Sequence, residues 1–554
     1  MSAAGNDQDL DEFVFVPLGG AGEIGMNLNL YGLDGKWLML DLGVTFGEEN
    51  LPGIDLVMPD PRFIEERRED LLAIIVTHAH EDHLGAIPYL WPRLRCPVYA
   101  TPFAAAVLRR KLREVKLEDE VELHEIPLGG RFELGPFDLE FITVTHSTLE
   151  PNAVAIRTRQ GTVLHTGDFK VDPDPLIGEA TDVTALSRVG DEGVLAMVCD
   201  STNVLYSGSS GSEGTLRESL DGLFADRPGR IVVTTFASNV ARIETVAKLA
   251  ARHDRHLALV GRSLWRITDA AREAGYLQDL PPFLSDADVG HLPADKVVLL
   301  ATGCQGEPRA AMAKIATGQH PHVQLDPGDL VIFSSKVIPG NEKSITRMQN
   351  QLAELGIDLV TESDDFVHVS GHPARDELAQ YYGWVRPRIA VPVHGESRHL
   401  AEHAAFARSL QVPEAVELCN GAVLRLAPGP AEIVDHVPAG RLALDGSTLI
   451  SVDADPLRER RRLMREGVIF LTLVADQDGA LLTDPRWRAE GVHWDASGKE
   501  AELKVAVAGA VAALPAGQRR DDETVCEVAR LVVRRHFRRA HDKRPTVVVE
   551  LVRL

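Results

Sequence analysis

His78, His80, Asp82 and His83 fall within six positions of one another, in "THAHEDH" at 77–83. They sit at the end of the apolar run "LLAIIVT" (71–77). One histidine in a polar loop needs no explanation. Three with an aspartate after a buried-strand pattern read as ligands gathered around metal. Imidazole and carboxylate donors favour Zn²⁺ or a similar first-row ion over Ca²⁺ or Mg²⁺. Alternate side chains of an extended segment share a face, so His78 and His80 point one way. Asp82 and His83 are free to turn toward a second point. Two ions ~3.5–4 Å apart suit that arrangement and would lower the pKa of a bound water toward ~7.

Such a centre needs further ligands, and the chain repeats one syntax: an apolar strand, a ligand type, then Gly, Ser or Thr. "FITVTHST" ends on His146, "TVLHTGDFK" on Asp168 and "RIAVPVHGE" on His394. His165 lies inside its strand and reads as packing.

The elements that must hold these residues follow from periodicity. Residues 13–18 read as a strand, and 27–43 alternate on both sides of Asp34-Gly35, a hairpin signal. Further strands are expected at 71–77, 121–126, 137–145, 153–158 and 162–166, with helices over "AIPYL" and 101–115, in a β-rich α/β block ending near 202. From about 203 to 365 the grammar changes. "RIVVTTFASN", "HLALVGRS", "KVVLLATG" and "DLVIFSSK" alternate with helical stretches, which predicts βαβ units around a parallel sheet. Beyond 365, "FVHVSGH" and "RIAVPVHGE" read as strand-to-loop units. The basic run "RERRRLMR" (458–465) reads as linker or helix, and a small α/β domain with a basic helix at 530–544 follows. That helix reads as a solvated face of a self-associating domain rather than an RNA contact.

"GGAGEIG" holds Gly20-x-Gly22-x-x-Gly25 after a strand. A dinucleotide site needs a helix to follow these glycines. The hairpin pattern that follows instead makes them a tight turn whose backbone passes close to a neighbour.

The chain has 554 residues, 44% hydrophobic and 25% charged, the composition of a soluble globular protein. No apolar run is long enough to span a membrane, and "MSAAGNDQDLDEF" has no signal-peptide pattern. The five cysteines are scattered without a CxxC pair, so neither a disulfide framework nor a thiolate site is expected, and a reducing cytoplasm is the simplest location. The net charge of −24 argues against a general polyanion binder. Bound cations and a local basic groove reverse the field where a nucleic acid would lie.

H-x-H-x-D-H with later His, Asp and His resembles the metallo-β-lactamase fold. Asp200 in "VCDST", "HVSGH" at 368–372 and "VPVHGE" at 391–396 resemble the β-CASP family of nucleic-acid-processing enzymes. "PLGGAGEIGMN", "TTFASN", "ATGCQGEP" and "VIPGNE" together resemble bacterial ribonuclease J over nearly the whole chain. The resemblance implies an α/β fold. A metallo-β-lactamase αββα sandwich (1–205 and 366–450) would hold an inserted β-CASP domain (206–365), with a linker (451–465) and a small C-terminal α/β domain (466–554).

It also implies roles. His78, His80 and His146 would hold one ion, and Asp82, His83 and His394 the other, with Asp168 bridging and Asp41 orienting a ligand histidine from behind. Two Zn²⁺ ions per subunit are implied, with Mn²⁺ or Mg²⁺ as alternatives. Asp82, Asp200 and His372 would be catalytic. Ala237, Ser238 and Asn239, with the loop His368, Val369, Ser370, Gly371 and His372, would bind substrate. The implied activity is hydrolysis of RNA in maturation and decay, 5′-to-3′ on 5′-monophosphate ends and also internally. The implied partners are single-stranded RNA, further copies in a homodimer or homotetramer, and other RNA-decay proteins, with no membrane. A small-molecule esterase of the same fold would account for the metal ligands but not for residues 203–365 or "HVSGH".

Overall fold

The structure is a computed structural model and describes residues 11–48, 50–493 and 499–554. The N-terminal residues read above for a signal peptide lie outside it up to residue 10. The chain forms two compact units, one of residues 1–45 and 58–440, the other of 46–57 and 441–554.

The first unit is built on two large sheets. One has eight strands, among them Phe13–Gly19, Leu28–Leu33, Lys36–Leu40 and Leu71–Ile75. The other has seven, including Phe137–Thr143, Asn152–Thr158, Gly161–His165, Val194–Asp200 and Ile389–Val393. Phe13, Tyr31, Leu40 and Ile75 of the first sheet join Phe141, Val154, Val198 and Val391 of the second in one apolar core. The outer face of the second sheet packs Met197, Ala390 and Leu164 against the helices Val183–Glu192, Arg375–Val385 and Ser397–Ser409. The hairpin at Asp34-Gly35 turns with φ of +55° and +71°, the left-handed pair that a two-residue hairpin loop requires.

Between Asp200 and Ile389 the chain makes a third sheet of six strands. Ile231–Thr234, His256–Val260, Val297–Ala301 and Leu330–Phe333 are its centre, and their pairings are parallel. Apart from exposed His256, these strands are buried throughout, which is why they read as apolar runs rather than alternation.

Three segments differ from their sequence reading. "FVHVSGH" is not a strand. Its backbone is satisfied by side chains instead: Ser334 Oγ donates to the Val367 carbonyl at 2.7 Å, and the His372 N–H donates to Ser370 Oγ at 3.2 Å. Residues 451–465, expected as a linker, are largely the helix Asp455–Glu466. It is tied down by Arg460, whose guanidinium reaches Asp445 at 2.9 and 2.6 Å. Residues 441–450, read with the sandwich, form the hairpin Arg441–Asp445 and Thr448–Ser451 of the second unit.

The rest of that unit is a three-stranded sheet, Arg486–Glu490, Val468–Ala475 and Thr546–Arg553, backed by two helices. In helix Asp522–His541, Val525, Ala529, Val533 and Phe537 recur every four residues and are buried. The helix is therefore amphipathic, with its arginines on the other face.

Candidate metal centre

Most candidate ligands sit just beyond the C-terminal end of a strand or in the loop that follows. His78 follows Leu71–Ile75, His146 follows Phe137–Thr143, Asp168 follows Gly161–His165 and His394 follows Ile389–Val393. Open α/β sheets place ligands there because the polypeptide turns away and leaves side chains converging. His80 precedes a short helix, Glu81–Leu84, that carries Asp82 and His83.

His78, His80 and His146 form one group. His78 Nε2 and His146 Nε2 lie 3.1 and 3.0 Å from His80 Nδ1. Nitrogens bound tetrahedrally to one ion at 2.0–2.1 Å would be roughly 3.3 Å apart, so this spacing fits a single ion. Asp82, His83, Asp168 and His394 form a second group. His83 Nε2 is 3.1 Å from Asp168 Oδ2, and His394 Nε2 is 3.1 Å from Asp82 Oδ2. Asp168 Oδ2 also lies 3.9 Å from both His78 Nε2 and His146 Nε2. One oxygen thus faces both groups.

The far nitrogens of the rings are fixed. His83 Nδ1 is 2.7 Å from Asp41 Oδ2, His78 Nδ1 is 3.0 Å from Thr77 Oγ1, and His394 Nδ1 is 2.8 Å from Thr202 Oγ1. His146 Nδ1 meets the Gly371 carbonyl. Each contact leaves Nε2 turned inward, the arrangement by which supporting partners set a ligand's tautomer. Asp41 in turn accepts from the Thr77 N–H at 2.8 Å and its hydroxyl at 2.9 Å. Asp41 and His394 hold φ of +64° and +52°, left-handed conformations that bulky residues adopt when their surroundings impose them.

The electrostatics divide the two groups. Burial holds the His78 and His146 imidazoles well below their usual pKa, and the neighbouring histidines add to the effect. Burial also lowers His80, to about 4, against the pull of Asp82 and Asp168. These rings are neutral, the form that binds metal. Burial would lower His83 and His394 as well, but the carboxylates around them, Asp168 foremost, raise both.

Asp200 and His372 complete the cluster. Burial opposes the Asp200 charge, yet His372 holds its carboxyl well below the usual range. His372 Nδ1 is 2.7 Å from Asp200 Oδ2 and 3.8 Å from Asp168 Oδ2. Burial lowers the His372 pKa, but Asp200 and Asp168 raise it above the usual value. Gly371 has no room for a side chain, since a Cβ there would lie 2.7 Å from His146 Cε1.

The expected substrate loops have different surroundings. Ala237 and Ser238 are half-buried and line a cleft of about 210 Å³ beside Ala79 and Glu81. Asn239 is buried, and its side-chain oxygen caps the helix Val240–Arg252 by accepting from the Arg242 N–H at 2.9 Å. His368 and Ser370 are half-buried and Val369 is in the core. His165 donates to or accepts from the Tyr31 hydroxyl at 2.9 Å. Gly20, Gly22 and Gly25 of "GGAGEIG" have φ near +90°, and a Cβ on Gly25 would lie 3.5 Å from Asp82 Cβ.

Several residues that hold the site had no motif of their own. Asn203 Nδ2 donates to Ser370 Oγ at 2.8 Å and to the His372 carbonyl at 3.0 Å. Glu377 accepts from the N–H groups of Val171, Ser210 and Ala374 at 3.1, 2.8 and 2.8 Å, joining the segment after Asp168 to the one after His372. Arg242, fully buried, meets Glu213 at 3.2 Å and donates to the Ser334 and Val367 carbonyls. Thr202 and Asn203 directly follow Asp200, a proximity that flags them. Glu377 and Arg242 carry no comparable signal.

Family profiles match along the chain: a beta-lactamase superfamily domain at residues 52–187, the beta-CASP domain of ribonuclease J at 228–352, a Zn-dependent metallo-hydrolase RNA specificity domain at 356–412, and the ribonuclease J C-terminal domain at 456–554. The chain is 46% identical to the ribonuclease J of Sinorhizobium meliloti over 98% of each chain. It is 36% identical to that of Mycobacterium tuberculosis over 97% of this chain and 96% of the other. It is 37% identical to that of Thermus thermophilus over 84% and 83%. Among solved structures, a protein of unknown function from Enterococcus faecalis shares the fold at 15% identity, with a TM-score of 0.52, covering 78% of this chain and all of the other. With its domains in this order and its relatives matched end to end, the chain belongs to the ribonuclease J family of metallo-hydrolases.

Proposed function

We propose that the protein hydrolyses single-stranded RNA, 5′-to-3′ from 5′-monophosphate ends and also internally, in RNA maturation and decay. We further propose that it does so with two Zn²⁺ ions per subunit, which Mn²⁺ or Mg²⁺ can replace. The observation that carries the reading is His372, held by Asp200 at 2.7 Å and directed at the ligand cluster from the "HVSGH" loop. His372 stands outside the two proposed ligand groups, in the segment matched by the RNA specificity domain at 356–412.

The ligands would be His78, His80 and His146 for one ion and Asp82, His83 and His394 for the other, with Asp168 shared. The ions supply a water activated at neutral pH and neutralise charge on the phosphoryl oxygens. Asp82 is the ligand carboxylate most open to solvent, its side chain 30% exposed against 3% for Asp168. That exposure suits it to orient the attacking water. With Nδ1 committed to Asp200, His372 offers Nε2–H to the leaving 3′ oxygen, so the downstream product keeps the 5′-phosphate. Backbone N–H groups and hydroxyls around Ala237, Ser238, Ser370 and Gly371 hold the flanking phosphates without a large basic surface. Asn239 contributes by fixing that loop. The same reading places the protein in the cytoplasm, which suits its five unpaired cysteines. It assigns self-association to the C-terminal unit, whose outer sheet face exposes Phe470 beside Val548, and leaves other RNA-decay proteins as partners.

The test is cleavage of end-labelled RNA bearing a 5′-monophosphate, triphosphate or hydroxyl, beside a matched DNA. The expected result is metal-dependent release of mononucleotides fastest from the monophosphate, lost with chelator and restored by Zn²⁺ or Mn²⁺. Turnover of esters without RNA cleavage would overturn the reading. Faster cleavage of the DNA would correct the substrate.

A further inference from the structure

Tyr206 is 53% exposed although its backbone is fixed on both sides. Its N–H donates to the Asn203 carbonyl at 2.9 Å, and its carbonyl accepts from the Arg375 N–H at 3.0 Å. The turn that begins with Asp200 on His372, and passes through Asn203 on Ser370, therefore ends by presenting a phenol ring to solvent.

The ring is met from the inserted sheet. Lys336 Nζ lies 4.1 Å from its centroid, within the range of a cation–π contact. Lys336 follows the strand Leu330–Phe333, and its loop is pinned from below. Buried Gln305 donates to the Lys336 carbonyl at 2.8 Å and accepts from the Ile338 N–H at 2.9 Å and Asn341 Nδ2 at 3.2 Å. This gives "ATGCQGEP" and "VIPGNE" a structural task, since one supplies the brace and the other the braced loop. Among the described residues no carboxylate pairs with Lys336. Its charge is felt at His368, where burial, Arg242 and then Lys336 depress the imidazole.

We infer that Tyr206 and Lys336 form a nucleotide clamp at the mouth of the site, the ring stacking on one base of single-stranded RNA and the ammonium holding a neighbouring phosphate. The inference rests on the ribonuclease reading above. Stacking on an aromatic ring tolerates any base, because every base offers a π-face. The clamp would therefore add grip without sequence preference, away from the groups that act on the scissile phosphate.

The test uses the full chain with Zn²⁺ or Mn²⁺ and 5′-monophosphorylated single-stranded RNA, including a set with one abasic nucleotide moved along the strand. Tyr206→Ala is expected to raise KM about 10-fold, the size of one lost base–aromatic stack, with kcat within about twofold. Tyr206→Trp should restore KM. Wild-type protein should lose affinity when the abasic site reaches one position, and Tyr206→Ala should be indifferent to that position alone. Lys336→Met should reduce the salt dependence of KM by about 0.7 in log–log slope, one phosphate contact on a single strand. If Tyr206→Ala cleaves every RNA with the KM of wild type, the clamp is overturned and the ribonuclease stands. If its kcat falls in step with kcat/KM while KM holds, the ring is overturned as a gripping group. Wild-type protein that cleaves no RNA overturns both.

Discussion

In the unit that carries the site, Asp41, Asp168, Lys170, Asp172, Asp200, Glu213, Arg242 and Glu377 are all within 3% of full burial. In the C-terminal unit the interior is Ile469, Leu471, Leu503, Val507, Val533 and Phe537, and among the described residues no charged side chain of that unit is buried. Burying charge costs stability unless each group is paired, and apolar side chains of the same volume often serve a fold better. The first unit accepts that cost along one continuous path. Lys170 pairs with Asp172 at 2.6 Å, Asp172 accepts from the Glu213 N–H at 3.0 Å, Glu213 meets Arg242, and Arg242 holds the carbonyl just before His368. The second unit packs as an amphipathic layer around an apolar interior. The contrast teaches where precision is needed, because directional polar contacts fix positions that non-directional apolar packing leaves looser.

Four substitutions would break or sharpen this contrast. Asp168→Ala removes the oxygen common to both ligand groups. Cleavage should fall by roughly 10³-fold or more, the several kcal/mol that metal-assisted charge stabilisation supplies, with unfolding little changed. Single-turnover rates on labelled RNA measure it. Arg242→Ala strands the buried Glu213 charge and should destabilise the first unit by about 3–5 kcal/mol. Adding Glu213→Gln should recover part of that loss in denaturant titrations, whereas a merely volumetric effect would show no recovery. Phe537→Ala opens a cavity in the apolar interior of the C-terminal unit and should cost about 3–5 kcal/mol there. Hydrogen exchange should speed up along helix Asp522–His541 and stay slow in strand Leu71–Ile75. Loss of protection in both would deny the two units their separate interiors. Asp41→Asn keeps a residue that tolerates the left-handed backbone but turns an amide toward His83 or Thr77. Metal affinity should drop about 10–100-fold, the usual effect of losing a partner behind a ligand, as read by competition with a chromophoric chelator.

The same contrast marks how far the sequence is legible. Strand Leu71–Ile75, the hairpin at Asp34-Gly35 and the parallel strands after 230 follow from short-range pattern, because burial on one or both faces dictates the residue types. The ligand types were visible because three imidazoles in six positions are too dense for ordinary packing. "FVHVSGH" misled because its alternating apolar residues match a strand, while its backbone partners, Ser334 and His146, come from distant segments that no local pattern encodes. Helix Asp455–Glu466 was open to either reading, since its charged surface has only Leu457 buried beneath it. Arg242 and Glu377 were silent for the opposite reason. Each lies in a helix whose neighbours explain themselves, and its tie to the site runs through partners more than 25 residues away, such as Glu213 and Val171.

His394 meets Asp82 across 312 residues of chain. A polypeptide growing from the ribosome has made the other four candidate ligand histidines, both candidate ligand aspartates and most of the sandwich long before it makes this last imidazole. Until then the second ligand group is missing a member, and the strand Ile389–Val393 that would carry it is absent from its sheet. Contacts this distant in sequence form late. The second candidate ligand group therefore closes only once the strand Ile389–Val393 has joined its sheet beside Val194–Asp200.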